Sequence, residues 1–125
     1  MELNEYQKQA MTTCTESSHN FAYMMLNLVG EVGEFASKVA KSVRKEHLSI
    51  NSNDFEEHDI AECTELERGL RLEAGDILWQ LSGLCSVMGW NLEDIAKANL
   101  DKLKSRQERN KIVGDGDYRL KLQTN

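Results

Sequence analysis

The segment FAYMMLNLVGEVGEFASKVAKSVRK, residues 21–45, decides the fold. Phe21, Met24, Met25, Leu28, Val32, Phe35, Val39 and Val43 recur at the i, i+3, i+4 spacing of one helical face. Lys41, Arg44 and Lys45 gather where the helix dipole turns negative. Proline, which breaks helix interiors, is absent from the whole chain, so long helices are favoured over a turn-rich β fold. Within this apolar run stand two carboxylates, Glu31 and Glu34, flanked by Gly30 and Gly33.

Working outward, Leu3, Tyr6, Ala10 and Met11 predict a first amphipathic helix that ends at the polar stretch 12–20. EHLSINSND, residues 46–54, reads as a connection, rich in Ser and Asn. A third helix is expected from about Phe55 to Met88, marked by Leu66, Leu70, Ile77, Leu81, Leu84 and Met88 and stopped by Gly89. Asn91 is placed as an N-cap, with Asp94 in the capping-box position, for a fourth helix carrying Leu92, Ile95, Ala96, Asn99, Leu100 and Leu103 and ending near Glu108. GDGDYR, residues 114–119, reads as a turn; it lacks the Lys-Ser/Thr pair of a phosphate-binding loop. The 125 residues fit one all-α domain, 1–125.

Charge and cysteines narrow the function classes. The net charge is −6, which disfavours nonspecific binding to nucleic acid or to an anionic membrane. The imbalance is local: residues 46–67 hold eight acids and no Lys or Arg, leaving the rest of the chain slightly basic and able to receive an anion. Cys14, Cys63 and Cys85 are odd in number and without CxxC spacing, so neither a disulfide framework nor a zinc site is indicated. No signal-peptide pattern and no apolar run of membrane-spanning length is present, and the expectation is a soluble cytoplasmic protein.

The two carboxylates have a downstream answer. Residues three apart on a helix lie about 60° apart around its axis, so Glu31 and Glu34 share a face, and LEAGDILW, residues 72–79, repeats the spacing with Glu73 and Asp76 beside Gly75. Helices joined by a connection normally pack antiparallel, so the two pairs can face each other and form an oxygen-rich cage of the kind hard Mg²⁺ prefers. Gly30, Gly33 and Gly75 beside the acids suggest close approach of a backbone or a ligand. Against this stands the ordinary occurrence of i, i+3 glutamates on solvated faces. A di-iron bundle would need two Glu-x-x-His motifs, and only Glu16 to His19 has that spacing. His19, His47 and His58 are expected to be solvated. Lys38 is expected to make an ordinary i, i+4 pair with Glu34, while Lys102 and Arg106 share a face of the fourth helix within reach of phosphates. Trp79, Trp90 and Cys85 are expected in the packing.

With these motifs the chain resembles the MazG-like all-α nucleoside triphosphate pyrophosphohydrolases. The resemblance rests on LNEYQKQAMTT at 3–13, LVGEVGEF at 28–35, LEAGDILWQLSGL at 72–84, NLEDIAKANLDKLKSR at 91–106 and GDGDYR at 114–119. It implies an antiparallel four-helix, bundle-like MazG fold assembling as a homodimer or homotetramer, with sites often built from more than one subunit. It also implies Mg²⁺-dependent cleavage of a nucleoside triphosphate between its α and β phosphates, with Mn²⁺ as a substitute, giving the monophosphate and pyrophosphate. Glu31, Glu34, Glu73 and Asp76 fall at the family's metal-binding positions, with Glu34 a candidate to assist proton removal. Asn99 and Lys102 fall near the triphosphate, and Lys41 and Arg106 are further phosphate contacts. The chain departs from many members in having Gly30 in place of a further acid and in its longer acidic connection. The alternative is a noncatalytic helical oligomeric module whose acidic segment binds a basic partner.

Overall fold

A computed structural model describes residues 1–46, 48–50, 55–57 and 60–110, in which four α-helices and one small hairpin form. Helix α1 spans Leu3–Met11, α2 Phe21–Arg44, α3 Ile60–Val87 and α4 Leu92–Glu108. A single 3-10 turn, Glu16–Ser18, occupies the polar stretch between α1 and α2. The side chain of Asn20 caps α2 by accepting from the Tyr23 N–H at 2.9 Å. Asn91 caps α4 in the same way, accepting from the Asp94 N–H at 2.9 Å while its amide donates to the Asp94 carboxylate. Gly89, at φ +74, ends α3, and the Trp90 N–H folds back to the Cys85 carbonyl at 2.7 Å.

One boundary differs from the sequence reading. The third helix begins at Ile60, not near Phe55, because Phe55–Glu57 forms a strand, β2, antiparallel to β1, Leu48–Ile50. Leu48 pairs with Glu57, Ser49 with Glu56 and Ile50 with Phe55. Ile50 and Phe55 favour extended backbone, and the intervening Asn51, Ser52, Asn53 and Asp54 are turn-forming residue types. His47, His58 and the stretch 114–119 lie outside the described residues.

The helices are not equal partners. The principal packing is α2 on α3, while α1 lies against α3 and α4. Contacts along the first pair fix it as antiparallel: Lys38 meets Glu73, and Met24, further back in α2, meets Gly83, further on in α3. Here the close approach is real. Met24 is fully buried, and a Cβ at Gly83 would fall within 2.6 Å of its Cε. Of the close approach by a backbone or a ligand expected at Gly30, Gly33 and Gly75, the backbone form is not found among the described residues: none lies within 4 Å of a Cβ at Gly33 or Gly75, and at Gly30 the neighbour is Asn27 of the same helix. These glycines flank the acids on open surface.

The junction of α1, α3 and α4 is held by polar groups. The buried Gln7 amide donates to the Trp90 carbonyl at 2.9 Å and to Ser86 Oγ at 3.1 Å, and its oxygen accepts from the Leu92 N–H at 2.9 Å. Trp79 Nε1–H donates to Thr13 Oγ1 at 2.9 Å and to the Ala10 carbonyl at 3.1 Å, pinning α3 to the end of α1. Cys85 is buried as expected, and burial pushes its thiol up; Trp90 is half exposed. Among the described residues the buried apolar set is small: Met24, Leu48, Cys85 and Leu92. Part of the apolar stripe of α2 stays on the surface, with Phe21 and Val32 about half exposed; beside the stripe Leu26 is 76% and Val29 68% exposed, and Leu72 of α3 joins them at 69%.

Candidate metal centre

Antiparallel packing of α2 on α3 brings Glu31 against Glu73 and Asp76, so that one carboxylate oxygen from each lies within 4.8 Å of the others. Glu73 is buried, Glu31 half-buried and Asp76 exposed, which makes a centre anchored inside and open on one side. Glu31 Oε2 and Glu73 Oε2 are buried and, among the described residues, have no hydrogen-bond partner. Such oxygens lose hydration without compensation, a costly state for a carboxylate. Burial first, then the charges of Asp76, Glu34 and Glu73, raise the Glu31 carboxyl above its ordinary range. Lys38 Nζ lies 3.4 Å from Glu73 Oε1 and brings a positive charge to the three acids. The lysine expected to pair with Glu34 one turn away in fact reaches across to the neighbouring helix.

This donor set fits a hard divalent cation. All its donors are oxygens, two of them are buried and unpartnered, and the three groups repel one another until a positive charge joins them. Tyr6 of α1 borders the same region. Burial, followed by the charge of Asp76, pushes its phenol up.

Three of the four predicted carboxylates are therefore gathered, and Glu34 stands apart from the trio. It is exposed, yet close enough for its charge to act on Glu31. The predicted phosphate contacts divide between two places. Lys41 lines a cleft of about 210 Å³ between the end of α2 and the start of α3, together with Lys38, Ser42, Lys45, Glu65, Leu66 and Gly69. Asn99, Lys102 and Arg106 sit on α4, where Asn99 is exposed, Lys102 half-buried and Arg106 buried. None of these three lines the lysine cleft. The sequence reading missed Lys45 and Ser42 as cleft residues, although Lys38, Lys41 and Lys45 at i, i+3, i+7 carried the signal of a shared helix face. It also missed Tyr6, assigned only to the apolar face of α1. Glu16 and His19 lie in the polar stretch with both side chains exposed, and no described histidine joins the acids.

Comparison with known proteins identifies the family of the chain. The profile of the MazG nucleotide pyrophosphohydrolase domain matches residues 19–110, a span that contains the carboxylates and the lysine cleft. The Gene 37 protein of Mycobacterium phage L5 is 32% identical over 104 residues, covering 83% of this chain and 81% of that protein. No solved structure matches the chain.

Proposed function

Because the chain belongs to the MazG nucleotide pyrophosphohydrolase family, we propose that it hydrolyses a nucleoside triphosphate, canonical or modified, to the monophosphate and pyrophosphate with the help of Mg²⁺ or Mn²⁺. The observation that carries this reading is the convergence of Glu31, Glu73 and Asp76 with buried, unpartnered oxygens. These three residues, joined by Glu34, would hold the cation. When bound, it would neutralise phosphate charge and make water more nucleophilic.

The chain's own groups supply the rest. Glu34, exposed and near enough to act on Glu31, would accept a proton from water attacking phosphorus. Lys41, on the cleft that begins at Lys38, meets the polyphosphate. Asn99, Lys102 and Arg106 on α4 take further substrate contacts, within one chain or from a neighbouring copy. We attribute the exposed apolar surface of Leu26, Val29, Val32 and Leu72 to burial in a homodimer or homotetramer. No described helix is long and apolar enough to cross a membrane, in keeping with an enzyme that polices the soluble nucleotide pool.

The test is to incubate the purified protein with a panel of canonical and modified nucleoside triphosphates and Mg²⁺ or Mn²⁺ and to measure pyrophosphate. Release that is lost in Glu34→Gln and in Asp76→Asn, with helical content retained, supports the assignment. Absence of pyrophosphate across the panel refutes it and favours a noncatalytic interaction module.

A further inference from the structure

Lys38 belongs to two places at once. Its ammonium lies 3.4 Å from Glu73 Oε1 in the carboxylate centre, and the same side chain lines the cleft that Lys41 and Lys45 share. That separation is longer than the 2.7–2.9 Å of a tight charge-assisted bond, and nearly half of the Lys38 side chain (45%) faces solvent. Across the seam the side chain lies over Gly69, whose missing Cβ leaves it room: a Cβ there would already touch it, 3.5 Å from Lys38 Nζ and 3.8 Å from its Cδ. A lysine stem is flexible and carries a point charge, so small rotations move the charge between the carboxylate and the cleft.

We propose that Lys38 serves as the resident counter-ion of the carboxylate centre until a divalent cation arrives, and is then released into the cleft to bind the terminal phosphates of the substrate. This rests on the hydrolase reading and adds to it an order of events, cation before nucleotide. Electrostatics favour the exchange. With only the ammonium present, the Glu73 oxygen is satisfied and its second oxygen is not. A divalent cation shared by Glu31, Glu73 and Asp76 offers more charge to the same oxygens and repels the ammonium. The nearest anion site for that ammonium is the cleft, where the three lysines face the single carboxylate of Glu65. Lys38 thus acts as a positioning residue that couples the cation site to the anion site, and cation and polyphosphate bind with positive cooperativity through it.

Calorimetry with Mn²⁺ alone, in the absence of nucleotide, tests the first half. Lys38→Met should bind the ion about fivefold more tightly than wild type, the scale of one screened ion pair, whereas Lys41→Met, which removes the same charge without the Glu73 contact, should change affinity much less. Steady-state kinetics test the second half. Lys38→Met should raise KM about tenfold with a smaller change in kcat, as expected for loss of one charged phosphate contact, and Lys38→Arg should recover most of that loss. Equal tightening in both methionine variants, or weaker Mn²⁺ binding in Lys38→Met with circular dichroism unchanged, overturns the proposal, as does an unchanged KM. Failure of the hydrolase reading looks different: wild type itself releases no pyrophosphate, while the calorimetric comparison still reports whether Lys38 competes with the ion.

Discussion

Replacing Glu31 by Gln should stabilise the metal-free protein and abolish its stabilisation by Mg²⁺. Two unit charges at 4.8 Å repel by about 0.9 kcal/mol in bulk water and about 3.5 kcal/mol at an effective dielectric constant near 20. Asp76 is exposed and Lys38 offsets part of the charge on Glu73, so the lower end applies, about 1 kcal/mol after solvent screening. For a domain of this size that raises Tm by roughly 3–6 °C. The sign with pH follows from the direction of the shift. Glu31 holds its proton more tightly folded than unfolded, so its favourable contribution is complete below the ordinary carboxyl value of 4.5 and is lost as pH rises through the raised folded value. Metal-free wild type and Glu31→Gln should therefore have similar Tm in acid and diverge toward neutral pH, the variant being the more stable. Thermal unfolding in chelator, followed by far-UV circular dichroism across that range and repeated with Mg²⁺, makes the measurement. A variant less stable than wild type at neutral pH, or one that keeps the full Mg²⁺ response, would refute the reasoning.

Other perturbations probe the scaffold. Gly83→Ala drives a methyl group into the buried Met24 thioether and should cost about 1–3 kcal/mol in urea denaturation, partly recovered when Met24 is shortened to Ala. Gln7→Leu breaks the junction of α1, α3 and α4 and leaves the Leu92 N–H unpaired, with an expected loss of about 2 kcal/mol by the same assay. Paired substitution of Val29 and Leu72 by Asp should shift sedimentation toward the single chain; an unchanged sedimentation coefficient would show that this surface is not where copies meet.

The sequence made the acidic site legible for a simple reason: the i, i+3 spacing within each helix and the antiparallel return of the next are both set by helix geometry, so Glu31 opposite Glu73 and Asp76 follows from pattern. The Asn91 cap was legible too, because it acts through a residue three positions away; Asn20, which caps α2 in the same way, was read only as part of the polar stretch. What escaped depends on reach across elements. Lys38 has a local partner in Glu34 by spacing, yet its long stem finds Glu73, where two other carboxylates deepen the negative potential. The hairpin of Leu48–Ile50 and Phe55–Glu57 escaped because strands of three residues carry no measurable alternation. The glycines beside the acids read as a sign of close approach by a backbone or a ligand; among the described residues the close protein approach is at Gly83, in the ordinary core, while Gly33 and Gly75 face open space.

The acidic centre and the thin core are two sides of one energetic problem. A trio of carboxylates with unpartnered buried oxygens opposes folding, and the described residues bury few apolar side chains to offset it. Ligands that bind only the folded state supply what is missing: at about a hundredfold excess over its Kd, one such ligand contributes about 2.7 kcal/mol. Under the hydrolase reading the divalent cation is that ligand, and the covering of Leu26, Val29 and Leu72 by another copy is a second source of the same kind. Both would act on α2 and α3, the pair that carries the acids, so on this reading cation binding, association and folding would be linked equilibria. Chelation should then lower Tm more steeply in dilute protein than in concentrated protein, because each stabilising partner compensates for loss of the other. A Tm independent of protein concentration, with and without Mg²⁺, would separate association from the stability of this helix pair.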